Sequence, residues 1–159
     1  MPLVNVVGVS NLASEYKSKS LHTYSIAVAA ISDERTPSYE WVLQTLLDTV
    51  WGSESQGPAI FVSDDDHALS SALQRIAPDT PHILCAWHIT KNFMAKLGKT
   101  FAVDSKEYKE YEKAVNAMIW SRDEKGFHSG ADSYRQVIIG TTKETELETY
   151  ITKYVLVYS

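Results

Sequence analysis

Hydrophobic and polar positions change period several times along the chain. Residues 2–9, Pro-Leu-Val-Asn-Val-Val-Gly-Val, are β-branched and mostly apolar, the signature of a buried strand. Residues 10–21 carry four serines and two lysines and read as a loop. Residues 22–32 are apolar again without clean alternation, which suits a strand covered on both faces. Helical spacing begins at Thr36-Pro37, a capping hydroxyl followed by proline at the first helical position. It puts Tyr39, Val42, Leu43, Leu46, Leu47 and Val50 on one face, with Gly52 as C-cap. After a polar loop from Ser53 to Gly57, residues 58–62 form a short apolar strand that ends at Ser63-Asp64-Asp65-Asp66. A helix follows with Ala68, Leu69, Ala72, Leu73 and Ile76 inward and Pro78 beyond its end. Residues 81–86 read as a further strand, which runs through Trp87-His88 into a helix carrying Ile89, Phe93 and Leu97 and closed by Gly98.

Beyond Gly98 strand periodicity disappears. Residues 104–120 pattern as a helix through Tyr108, Tyr111, Val115 and Met118. Residues 144–158 do the same through Leu147, Tyr150, Ile151, Tyr154, Val155 and Tyr158. Between them Tyr134, Val137 and Ile138 suggest another helix, which Gly126, Gly130 and Gly140 weaken. The order of elements predicts an α/β layer with a helical appendage.

Composition narrows the class. At 159 residues the chain is one domain with room for a subdomain. Its 44% hydrophobic and 22% charged residues are those of a globular fold and exclude a disordered tail. No apolar run reaches the roughly 18–20 residues of a bilayer span, and the N-terminus lacks the shape of a signal peptide. Cys85 is the single cysteine, so no intrachain disulfide forms and a reducing compartment is expected. Net charge is −5, with 15 Lys and Arg against 20 Asp and Glu. A self-sufficient nucleic-acid binder is usually basic. The acidic balance suits a carboxylate metal site, or a piece separated from its basic parts.

Three places carry candidate chemistry. Asp64 lies where a buried strand stops and a helix begins, the rim at which open α/β sheets collect ligands, and a carboxylate there suits a hard divalent cation. Capping is the plainer role for an aspartate before a helix, and it falls to Asp66 or Asp65. His82, Cys85 and His88 have zinc-ligand chemistry, but their odd spacing on a strand sends successive side chains to opposite faces. A buried Cys85 and a core Trp87 are the plainer reading. Glu144, Glu146 and Glu148 read as a solvated helix face, and Lys91, Lys96 and Lys99 as scattered surface charges. There is no Gly-rich phosphate loop and no nucleophile elbow.

The order of blocks nevertheless resembles a known family. Pro2-Leu3-Val4-Asn5-Val6-Val7-Gly8-Val9-Ser10 is followed by Ala27-Val28-Ala29-Ala30-Ile31-Ser32-Asp33-Glu34 and Ser38-Tyr39-Glu40-Trp41-Val42-Leu43. Then come Phe61-Val62-Ser63-Asp64-Asp65-Asp66-His67-Ala68-Leu69 and His82-Ile83-Leu84-Cys85-Ala86-Trp87-His88-Ile89-Thr90-Lys91-Asn92. Together they are similar to the transposase domain of Mutator-like elements (MULE), from which plant regulators of the far-red-impaired-response type derive.

The resemblance implies an α/β fold: a truncated RNase H-like core, a mixed sheet with flanking helices, over residues 1–97, then a partial helical insertion over 98–159. It implies an Asp-Asp-Glu triad holding two divalent cations, Mg²⁺ or Mn²⁺, for DNA cleavage and strand transfer. By position in the motif Asp64 is the triad's second acid and its metal ligand. Asp66 is an accessory cap or supporting acid, and Cys85, Trp87 and His88 are accessory residues shaping the site or meeting the cut strand. The family's first Asp lies on a strand ahead of Pro2, and its Glu follows the insertion. The expectation is therefore a fragment that does not hold the metal stably, does not cut DNA, and binds DNA weakly or not at all. Self-association through the helical part, a nuclear location and no membrane contact complete it. A domesticated interaction or transcription-regulatory module is the alternative.

Overall fold

The computed structural model describes residues 1–13, 21–52 and 57–155. In order they form β1 (Leu3–Ala13), β2 (Leu21–Ala30), α1 (Thr36–Leu46), a π-helical turn (Leu47–Trp51), β3 (Phe61–Ser63), α2 (His67–Ile76) and β4 (His82–Leu84). Four helices follow: α3 (Ala86–Leu97), α4 (Lys106–Ile119), α5 (Glu124–Ile138) and α6 (Glu144–Val155). The architecture is mixed α/β. The chain forms two compact units, Met1–Ile83 and Leu84–Ser159.

In the first unit β1 and β2 pair antiparallel, from Leu3 opposite Ala30 to Val6 opposite Ala27. The register then slips by one residue, so Val7 faces Ser25 and Gly8 faces Tyr24. The Tyr24 ring lies against the bare Gly8 backbone, where a Cβ would come within 2.6 Å of Tyr24 Cζ. Ile31, Tyr39, Val42, Leu43, Ala72 and Leu73 are buried together, with Val4, Ala29 and Phe61 packed against them. One face of the hairpin is thus covered by the inner stripes of α1 and α2. β3 and β4 pair in a separate two-stranded sheet, joined through Phe61 N–H donating to the Pro81 carbonyl at 2.9 Å.

Several expectations change here. β1 runs on to Ala13, so residues 10–13 are strand rather than loop, while 14–20 lie outside the described residues. The hairpin is not covered on both faces: Leu3, Val7, Val9 and Val28 are more than half exposed. Thr36 opens α1 as a helical residue, with Arg35 at the cap position. The preceding turn is closed by Asp33, whose Oδ1 accepts from Arg35 N–H at 3.2 Å and Ser38 Oγ at 2.7 Å. β4 ends at Leu84 and α3 starts at Ala86, so Ala86, expected as the end of the strand, is already helical and Trp87 and His88 lie in the helix's first turn. Residues 53–56 of the expected polar loop, and Tyr158 of the last helix, lie outside the described residues.

The second unit is helical. Phe93, Leu97, Tyr111, Met118, Tyr134, Ile138, Leu147 and Ile151 head its buried cluster. Phe93 and Leu97 tie α3 into this helical core. α5 is continuous despite its glycines. A Cβ on Gly130 would overlap the backbone of Met118 and Ala117, so the missing side chain is what lets α4 and α5 approach. Ser105 caps α4, accepting from Tyr108 N–H at 3.0 Å, and Asp123 caps α5, accepting from Gly126 N–H at 2.7 Å. The buried Tyr134 hydroxyl donates to the Leu147 carbonyl at 3.0 Å and accepts from the Tyr111 hydroxyl at 3.5 Å. Burial pushes Tyr111 up to about 12 and raises Tyr134 as well. Among the described residues no helix is long and apolar enough to cross a membrane.

Candidate functional site

β3 stops at Ser63 and delivers Asp64 to the surface, where its side chain is exposed. The Ser63 hydroxyl fixes this rim from two sides. It donates to the Asp64 carbonyl at 2.8 Å and lies 2.8 Å from Nε2 of His82 at the start of β4. With its proton on that carbonyl, the hydroxyl accepts from His82, which makes Nε2 the protonated nitrogen. Burial lowers the His82 pKa, which favours the neutral ring. Asp66 caps α2, its Oδ1 accepting from Leu69 N–H at 2.7 Å. The buried phenol of Tyr39 lies in the field of these acids. Its pKa is raised first by burial and then by Asp66, Glu34 and Asp64.

The carboxylates expected to be plain surface groups are engaged as structure. Glu144 Oε2 accepts from Gly140 N–H at 2.7 Å, Lys96 bonds Glu146 at 3.1 Å, and Arg135 bonds Glu148 at 3.1 Å. The Lys96 bond holds the Glu146 carboxyl below its ordinary range. Among the described residues no group of three His, Cys, Asp or Glu side chains is placed to hold a metal ion. Asp66 is committed to the helix and His82 to Ser63. The residues present therefore do not by themselves fit a pair of divalent cations or a zinc ion.

In the second unit Cys85 occupies the N-cap of α3 without a side-chain capping hydrogen bond, a half-buried free thiol. The His88 and Trp87 rings meet edge to face, with centroids 4.7 Å apart and planes at 81°. Its Nδ1 is buried with no hydrogen-bond partner among the described residues. Trp87 itself is exposed, against the expectation of a core indole, and Lys91 Nζ stands 5.0 Å from its ring centroid. Its place on the outward side of a first helical turn explains the exposure.

The MULE transposase domain family matches residues 1–92, more than half of the chain. The chain belongs to that family. The curated proteins it is similar to include three from Arabidopsis thaliana. Protein FAR1-RELATED SEQUENCE 4 is 26% identical over 89 residues, which is 56% of this chain and 11% of that protein. Protein FAR-RED IMPAIRED RESPONSE 1 is 26% identical over 102 residues, 62% of this chain and 12% of that protein. Protein FAR1-RELATED SEQUENCE 2 is 28% identical over 79 residues, 50% of this chain and 9% of that protein. The chain thus spans about a tenth of the length of these relatives. No solved structure matches.

The MULE match takes in Asp64, Asp66, Cys85, Trp87 and His88. Sequence reasoning missed the Ser63–His82 bridge and the place of Tyr39. A hydroxyl directly before the strand-end aspartate, and a histidine opening the next strand, were the available signals for the bridge.

Proposed function

We propose that residues 1–97 are an RNase H-like core of the DDE transposase type, that Asp64 is the second acid of its two-cation site, and that the 159-residue chain alone does not cut DNA. The observation that carries this is the MULE match together with the contrast between neighbouring carboxylates: Asp66 is tied to a helix end while Asp64 stands exposed at a strand end. Residues 98–159 are read as the family's helical insertion. When bound, Mg²⁺ or Mn²⁺ would supply Lewis-acid activation of the phosphodiester. Asp64 would be this chain's ligand, and the other acids would come from outside these residues. DNA is the partner of such an enzyme, and the nucleus its location.

A second reading is favoured by the relatives. They carry far-red-impaired-response names, so a transposase-derived regulatory or protein-interaction module, self-associating through the helical unit, is the alternative.

The test grafts residues 1–92 into an active MULE transposase in place of its matching segment. Cleavage that survives the graft is expected to fall with Asp64→Asn by at least the roughly hundredfold cost of losing an outer-shell metal partner. It is expected to survive Asp66→Asn. A graft that cuts equally well with Asn at position 64 removes the proposal. The isolated chain is expected to show no Mg²⁺-dependent nicking of supercoiled DNA.

A further inference from the structure

Three indoles, those of Trp41, Trp87 and Trp120, are 57–59% exposed. Singly exposed rings are ordinary on a protein surface, so exposure alone marks none of the three. Trp87 differs from the other two in its company. Lys91 is four residues further along α3, one helical turn away, and holds its ammonium over the indole. The first turn of α3 has no acidic residue. Residues 84–159 carry eleven Lys and Arg against ten Asp and Glu, while residues 1–83 carry four against ten. An anionic polymer is therefore repelled less at this turn than at the rim of β3.

We infer that Trp87 and Lys91 form a stacking platform for single-stranded DNA, a reading that rests on the DNA-processing role proposed above. A cation over an exposed ring is weakly held. The ammonium can leave the indole for a phosphate while a base takes its place on the ring. That exchange keeps the indole covered and satisfies Lys91 with a full counter-charge, the combination that sequence-independent single-strand binders use. The platform positions a strand and does not touch the reacting phosphate.

The experiment follows the indole N–H signals of the ¹⁵N-labelled full chain as a (dT)₁₀ oligonucleotide is added, with the Trp87 signal assigned by Trp87→Phe. The Trp87 signal is expected to shift saturably while those of Trp41 and Trp120 stay in place. Trp87→Ala should weaken binding about tenfold or more, and Trp87→Phe should keep most of it. Lys91→Met should lower the dependence of log affinity on log salt by about one. Circular dichroism checks that each variant is folded. If (dT)₁₀ binds while the Trp87 signal is unmoved, or if Trp87→Ala binds as well as the parent, the platform is refuted and the transposase reading stands. Absence of any binding by (dT)₁₀ also refutes it. The transposase reading fails by a different result, the graft that cuts with Asn at position 64.

Discussion

Among the described residues, the first unit buries a cluster of six hydrophobic residues and leaves Leu3, Val7, Val9 and Val28 of its hairpin more than half exposed. The second buries a cluster of eleven. The acids are distributed the other way: in residues 1–83 they outnumber the bases ten to four, while the second unit is nearly balanced. Hydrophobic stabilisation scales with the apolar area removed from water, so among the described residues the larger share of it falls to the helical unit. It also caps α4 and α5 and bonds a tyrosine pair to a carbonyl, but it leaves His88 Nδ1 buried without a partner among the described residues. Stability concentrates where no catalytic acid is proposed. The carboxylate rim sits on the scaffold that is less fully buried, and its order depends on a few local bonds, those of Ser63, Asp66 and Asp33.

The deepest test of this contrast is the α4–α5 crossing. Gly130→Ala puts a methyl group onto the Met118 backbone, an overpacking fault in which the main chain has to move. A loss of about 1–3 kcal/mol is expected. Amide exchange should locate it in α4, α5 and α6, with α1 and α2 protected as before. Equal loss of protection in α1 and α2 would break the division into two units and make the chain one cooperative block.

Smaller, and aimed at the rim, is the comparison of the adjacent acids. Asp66→Ala removes the α2 cap and should cost about 1 kcal/mol. Asp64→Ala removes an exposed side chain with no cap to lose and should stay within about 0.5 kcal/mol. Urea unfolding monitored through the first unit measures both. Equal costs would mean that Asp64 is structural and that its exposure is incidental.

Much of this was legible in the sequence because local patterns set it. The inward faces of α2 and α4, that of α1 apart from the exposed Val50, the presence of strands either side of α2 though shorter than 58–62 and 81–86, and the capping role given to Asp66 or Asp65 follow from spacing and cap chemistry. What was not legible depended on distant partners. Whether residues 22–32 were covered on one face or two depended on how many helices lay over the hairpin. Whether Gly130 broke α5 or allowed a close crossing depended on Met118, which no local window contains. Trp87 was placed in a core because large rings usually are, and the start of α3 at Ala86 turned it outward. The MULE resemblance came from the order of blocks, and no single motif carried it. The metal site was not legible as a cluster, and the described residues gather none.

The finest effect concerns His82. Burial lowers its pKa from the usual 6.5, so the folded ring binds a proton less readily than the unfolded one. Between the lowered value and 6.5 the unfolded chain carries more protons, and stability rises with pH there. The contribution is complete above that window and is lost as the solution is acidified through the folded pKa. Protection of β3, β4 and α2 amides should therefore decline from about pH 7 to about pH 5, the range in which histidines titrate. In His82→Gln a side-chain amide can still donate to Ser63 Oγ but has no proton to gain. The variant should keep the bridge and lose the slope. Parallel declines in parent and variant would show that the rim is held by Asp66 and the sheet alone, and that the Ser63–His82 bond contributes position without pH sensitivity.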